Sequence, residues 1–113
     1  MKDWDDVVAF ACALPEVVMA SYYGTMVPKV NGKPFVAPSR ALDSFCLYVS
    51  KPEKAILLEI APESFWVTGH FLNYPAVLAR YDAPANDLVE THIRRAWWDR
   101  LSREQRLAHG ARP

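Results

Sequence analysis

The chain has 113 residues, 51% of them apolar and 12% aromatic, and thirteen basic side chains balance thirteen acidic ones. That length supports one domain, 1–113, and the composition excludes a disordered or fibrous chain. A net charge of zero lacks the basic excess carried by proteins that coat many phosphates.

The charge is unevenly placed. Between Met1 and Ala20 one lysine faces Asp3, Asp5, Asp6 and Glu16. Between His92 and Pro113, Arg94, Arg95, Arg100, Arg103, Arg106 and Arg112 face only Asp99 and Glu104. The opening Met-Lys-Asp-Trp-Asp-Asp is too acidic for a signal peptide, and no apolar run nears the roughly 18 residues of a membrane span. A cytoplasmic protein with no membrane partner is expected. Cys12 and Cys46 lie in apolar segments outside any CxxC pair and read as small core residues.

Trp4, Val7, Val8, Ala11 and Leu14 recur at helical spacing. Asp3 is a suitable N-cap, Asp5 and Asp6 suit the positive end of the helix dipole, and Pro15 ends the helix. Met26–Val30 and Lys33–Ala37 flank Asn31-Gly32, the pair best suited to a type I′ hairpin turn. Pro34 puts the returning strand at an edge or turns that position outward. Pro38–Asp43 reads as a loop and Ser44–Val49 as a third strand.

Ser50 as N-cap, Pro52 in the first turn and Glu53 at the third position predict a short helix ending before Pro62. Phe65–Val67 and Ala76–Tyr81 read as extended. The loop between them carries Thr68, Gly69, His70, Asn73, Tyr74 and Pro75. A long helix from about Ala85 to Leu101, continuing toward Ala108, has Val89, Ile93, Ala96, Trp97 and Leu101 as its apolar stripe. Glu90 with Arg94 and Asp99 with Arg103 are spaced for ion pairs. Trp98 falls opposite the stripe, between Arg94 and Arg95. Strands in the middle and helices at both ends predict an α+β two-layer sandwich, one antiparallel sheet with the N- and C-terminal helices packed on it.

No catalytic constellation emerges. No serine has a Gly-x-Ser-x-Gly context, neither cysteine has an electropositive neighbourhood, and Glu53, Glu59 and Glu63 read as solvated acids. His70, His92 and His109 have no metal-ligand spacing, and four scattered glycines build no phosphate loop. The chain is therefore read as non-enzymatic, without catalytic residues, metal or cofactor. Two groups of residues can bind. In the polar-aromatic loop of Thr68, His70 and Tyr74, the histidine can act as a proton donor or grip an anion, or its ring can pin the loop to a backbone carbonyl. In the last helix, Arg94, Arg95 and Trp98 can stack on a base and meet phosphates, or anchor a protein, or Trp98 can pack on a neighbouring loop or the C-terminal extension.

The order of several motifs resembles the MmcQ/YjbR-like family. These are Ala13-Leu14-Pro15-Glu16-Val17, Gly24 followed by Val30-Asn31-Gly32-Lys33-Pro34-Phe35-Val36, the block Phe65–Arg80, and Arg95-Ala96-Trp97-Trp98. Gly69 stands where the family usually has proline, and Pro34 interrupts the hairpin. The resemblance implies a YjbR/frataxin-like arrangement and a small DNA-binding protein whose biochemistry is loosely defined. Lys29, Lys33, Arg94, Arg95 and Trp98 are then the nucleic-acid or anion-binding candidates, with Lys51 an added phosphate contact and the Asn31-Gly32 hairpin a wing. The alternative is a protein- or small-ligand-binding module without nucleic-acid affinity, acting through the loop and Trp98. The frataxins' iron-binding acidic helix has only a faint echo in Asp3, Asp5 and Asp6.

Overall fold

In the computed structural model, which describes residues 1–113, Asp3 accepts a hydrogen bond from the Asp6 amide at 3.0 Å and starts α1, Trp4–Cys12. The helix stops two residues before the expected Leu14, and its Val7 and Ala11 are buried. Cys12 is exposed rather than in the core, whereas Cys46 is buried. The next strand, β1 (Val18–Tyr22), was not expected. It pairs with β2 (Thr25–Val30) through the turn Tyr23-Gly24, both at positive φ. The Asn31-Gly32 turn forms as expected, also at positive φ, and joins β2 to β3, Lys33–Pro34.

The returning strand is not continuous. After Pro34 it breaks at the fully buried Phe35 and resumes as β4 (Val36–Pro38) in a second sheet. Pro34 has no N–H to extend the ladder, and turning the chain there drops Phe35 into the core. Two antiparallel sheets therefore replace the single one expected. The first has the order β1-β2-β3. The second has β4-β5-β7-β6, with β5 Ser44–Tyr48, β6 Phe65–Trp66 and β7 Ala76–Arg80.

Ser50 caps α2 (Lys51–Ile60) as its residue type predicts, accepting from the Glu53 amide. The final helical region is two helices. Asn86–Arg100 forms α3, Leu101 leaves helical geometry, and a Ser102–Gln105 capping box starts α4, Arg103–His109. A serine whose hydroxyl can satisfy the N–H groups of a new first turn favours a restart over continuation. The expected Glu90–Arg94 and Asp99–Arg103 pairs do not form. Glu90 accepts from Asn86, and Asp99 holds Arg112 instead.

Strand alternation divides the four-stranded sheet into two unlike faces. Val36, Phe45, Leu47, Val77, Ala79 and Phe65 point inward and pack with Val7 and Ala11 of α1, Leu57 of α2 and Val89, Ile93, Ala96 and Trp97 of α3. The helices at both ends of the chain thus cover this face, completing an α+β architecture. Trp97 donates to the Pro15 carbonyl at 2.7 Å, tying α3 to the end of α1. The opposite face carries Ala37, Cys46 and Ala76, packed with Val27 and bordered by Tyr22, Tyr48 and Phe71. No helix covers it. No helix of the chain is long and apolar enough to cross a membrane.

Candidate functional site

The helix-free face of the four-stranded sheet holds an open cleft of about 710 Å³. Its floor is small, with Ala37 and Cys46 side by side in the β4–β5 register. Six rings follow one another around it. Tyr23 meets Tyr22 edge-on at 4.7 Å, and the Tyr22 and Tyr48 hydroxyls lie 3.1 Å apart. Tyr48 meets Tyr74 at 6.2 Å, Tyr74 meets Phe71 at 6.2 Å, and Phe71 meets His70 at 5.2 Å. One wall is therefore the β1–β2 hairpin tip and the other a 3-10 turn, Gly69–Phe71, with the residues after it.

The hairpin wall carries a conformational cost. Tyr23 sits at φ 51° and is 92% exposed. An asparagine or glycine is the usual residue at the first position of such a turn, and a bulky side chain there is an outlier. The ring it projects lines the cleft.

The other wall is fixed from beneath by Lys54 of α2, which is only 6% exposed. Its ammonium donates to the Phe71 carbonyl, to that of Tyr74 at 2.7 Å and to that of Leu72 at 3.3 Å. Burial, then the Lys51 charge, pushes the Lys54 pKa down. The three carbonyls can only accept, so they favour the protonated amine. Lys54 has no acidic partner and its only bonds are to this loop. Pinning the loop is thus the work of Lys54 and not of His70, which is exposed and makes no hydrogen bond within the chain.

Three polar groups of the cleft are held in their protonated forms by burial. Burial pushes the Cys46 thiol up to about 12. Burial followed by the Tyr22 hydrogen bond raises Tyr48 well above the ordinary phenol, and burial raises Tyr74 as well. Burial thus works against a thiolate at Cys46 and a phenolate at Tyr48 or Tyr74. The Tyr22–Tyr48 pair uses one of its two hydroxyl protons and leaves the other for a ligand acceptor.

A smaller pocket of about 390 Å³ adjoins the cleft, sharing Pro38, Arg40, His70 and Phe71 with it. Thr68, Ser39, Ala41 and Leu78 complete it. The three loop residues singled out in the sequence are thus gathered around one site: Thr68 in the side pocket, Tyr74 in the main cleft and His70 at their junction. Arg40, Tyr22, Tyr23, Tyr48 and Lys54 are further members that sequence reasoning missed.

The helix candidates turn to different neighbours. Arg94 lies over the Phe10 ring of α1 at 5.0 Å, while Arg95 donates to the Pro113 carbonyl at 2.9 Å and approaches Glu53 at 4.0 Å. Trp98 is half-buried, with the Arg106 guanidinium 4.1 Å from its ring centroid and its indole N–H donating to Gly110. Arg112 holds Asp99 at 2.8 Å and Glu53 at 2.7 Å, so Glu53 is not the solvated acid expected. Lys29 donates to the Ser21 carbonyl at 2.7 Å. Lys33 is exposed and unpaired, and Asn31 beside it is bound to the Arg100 carbonyl and to Gln105. The hairpin turn is fastened to the α3–α4 corner and does not project as a wing.

No three or more His, Cys, Asp or Glu side chains are grouped to hold a metal ion. No family model matches the chain, and no curated protein or solved structure matches it either. The chain is a small α+β domain whose sheet buries one face under helices and opens an aromatic cleft on the other.

Proposed function

We propose that this protein is a non-catalytic binding module that takes a small planar organic ligand into the aromatic cleft. The observation that carries this reading is the arc of rings from Tyr23 to His70 above a floor of alanine and cysteine. Ring faces and edges at 4.7–6.2 Å separations offer stacked and edge-on contacts to a planar guest. A volume of about 710 Å³ lies in the range of small-molecule sites. Lys54 fixes one wall before a ligand arrives, which lowers the ordering cost of binding.

The reading is tested by titrating 2-naphthamide, a neutral ring probe, into labelled protein and following amide shifts by NMR. Shifts confined to residues 22–24, 37–48 and 68–74 are expected. Shifts spread over the helices would refute it, as would no shift from 2-naphthamide or from any ring probe carrying an acidic group.

A second reading, DNA binding, is supported by the MmcQ/YjbR-like resemblance and by one corner of the molecule. There the fastened Asn31-Gly32 turn brings exposed, unpaired Lys33 to the region where exposed Arg103 begins α4. Lys29, Arg94, Arg95 and Trp98 are the remaining candidates for phosphate or base contact. Binding to a random duplex at about 50 mM salt should then be measurable and fall steeply with added salt. The double variant Lys33→Ala, Arg103→Ala should flatten that slope, and no binding at low salt removes the reading.

A further inference from the structure

We propose that the ligand of the cleft carries an anionic group beside its ring, and that this group enters the 390 Å³ side pocket to meet Arg40, Thr68 and His70. The inference rests on the aromatic-cleft reading above and adds the charge of the guest.

The side pocket is supplied with donors and lacks acids. Arg40 is exposed, and its guanidinium has neither an ion pair nor a hydrogen bond within the chain. A guanidinium presents a fixed fork of N–H donors that matches a carboxylate or phosphate. The nearest acid in the same loop, Asp43, is engaged elsewhere, accepting from Arg80 at 2.8 Å and from the Ser44 hydroxyl at 3.0 Å. Thr68 makes no side-chain hydrogen bond as it enters the 3-10 turn, so its hydroxyl proton is available. The His70 imidazole is likewise unclaimed and always has at least one N–H to donate.

Ser39 does not join them. Its single hydroxyl proton serves the Ser44 carbonyl at 2.6 Å and the Ala41 carbonyl at 2.9 Å. Those bonds instead shape the loop that presents Arg40. No Asp or Glu lines either cavity. Lys54 adds a buried positive charge behind the ring wall. An anion thus meets donors and no like charge.

The connection between the chambers sets the ligand's shape. Arg40, His70 and Phe71 border both. A ring lying against Tyr22, Tyr48 and Tyr74 can extend a short acidic substituent past Phe71 without leaving protein contact. An aromatic carboxylate and a nucleoside monophosphate both satisfy this chemistry, and the cavity accommodates either acidic group.

Two matched probe pairs decide the matter: 2-naphthoate against 2-naphthamide, and adenosine monophosphate against adenosine. Each is titrated into the full chain, with amide shifts of residues 38–41 and 68–71 reporting the side pocket. At least one acid should bind about tenfold or more tightly than its neutral partner, as charge-assisted bonds to a guanidinium require. Arg40→Gln should bring that ratio close to one, and Arg40→Lys should restore part of it. A preference in the first pair identifies a carboxylate source, and one in the second a phosphate source. Equal binding of acid and neutral partner in both pairs overturns the inference and leaves the cleft reading standing. Failure of all four probes to bind overturns both.

Discussion

Replacing Lys54 by methionine isolates the tether that shapes one wall of the cleft. The substitution keeps the aliphatic stem and removes three N–H donors aimed at Phe71, Leu72 and Tyr74. A hydrogen bond to a charged group is worth about 1.5–3 kcal/mol. The sum of three overstates the loss, for two reasons. Burying the ammonium costs desolvation, which is why its pKa is pushed down. The freed carbonyls also belong to an exposed loop and can turn to water. A net loss of about 2–3 kcal/mol is expected in urea unfolding.

The distribution of the Lys54→Met effect is the sharper test. The Phe71 and Tyr74 amides, bonded to the Thr68 and Phe71 carbonyls at 3.0 and 3.1 Å, should lose about 10–100-fold of their hydrogen-exchange protection. Residues of β5 and β7 should lose only what the global change dictates. Stability within about 0.5 kcal/mol of the parent, together with unchanged loop protection, would refute the assignment of Lys54 as the pin.

Tyr23→Asn places a residue suited to positive φ in the turn and should raise stability by about 0.5–1 kcal/mol while weakening 2-naphthamide binding; a urea midpoint that falls would show the turn unstrained. Ala37→Leu fills the cleft from its floor and should abolish probe shifts, so unimpaired binding would place the guest elsewhere. Arg112→Ala removes contacts to Asp99 and Glu53 and should cost about 1–2 kcal/mol, a range discounted for partial exposure, with a smaller loss in high salt checked by the same denaturation. His92, which faces Glu53, Arg95, Asp99 and Arg112, has its pKa lowered first by burial and then by Arg95. The unfolded chain therefore takes up this proton first, and the His92 contribution is complete above about pH 6.5 and is lost as pH falls toward the lower folded value. The stability difference between the parent and His92→Leu should shift in that direction between pH 7 and 5, and a pH-independent difference would refute it.

How much was legible follows from whether a residue's role is local. Asp3, Ser50 and Asn31-Gly32 act through their own neighbours, and each does in the fold what its chemistry predicts. The strand β1 was hidden because no residue from Val18 to Tyr22 is fully buried, so its sequence carries no strong alternation. The turn after it was hidden because tyrosine is unusual at its first position. The break at Phe35 depends on a second sheet waiting to receive the chain. Lys54 reads as one more charge on a helix, yet the carbonyls that bury it come 17 to 20 residues later. Arg40 carries no local signal either, since only folding brings it to the same pocket as Thr68 and His70. The polar-aromatic loop was recognisable as one wall. The facing wall is built from a different part of the chain.

The two faces of the sheet also differ in what their side chains accomplish. Inward positions hold Phe45, Leu47, Val77 and Phe65, each fully or almost fully buried, and supply the apolar burial that stabilises the fold. Outward positions alternate with them in register; Leu78 among them is large and buried, but the floor of the cleft is only Ala37 and Cys46. Larger apolar residues there would fill the space with dispersion contacts. Instead the space stays open, flanked by a tyrosine at unfavourable φ and by a loop held on a buried lysine without a counter-ion. The tyrosine costs stability, the lysine's desolvation is offset only by its bonds to the loop, and both serve a wall of the same cleft. Such departures from local preference are expected where a fold serves a ligand rather than itself.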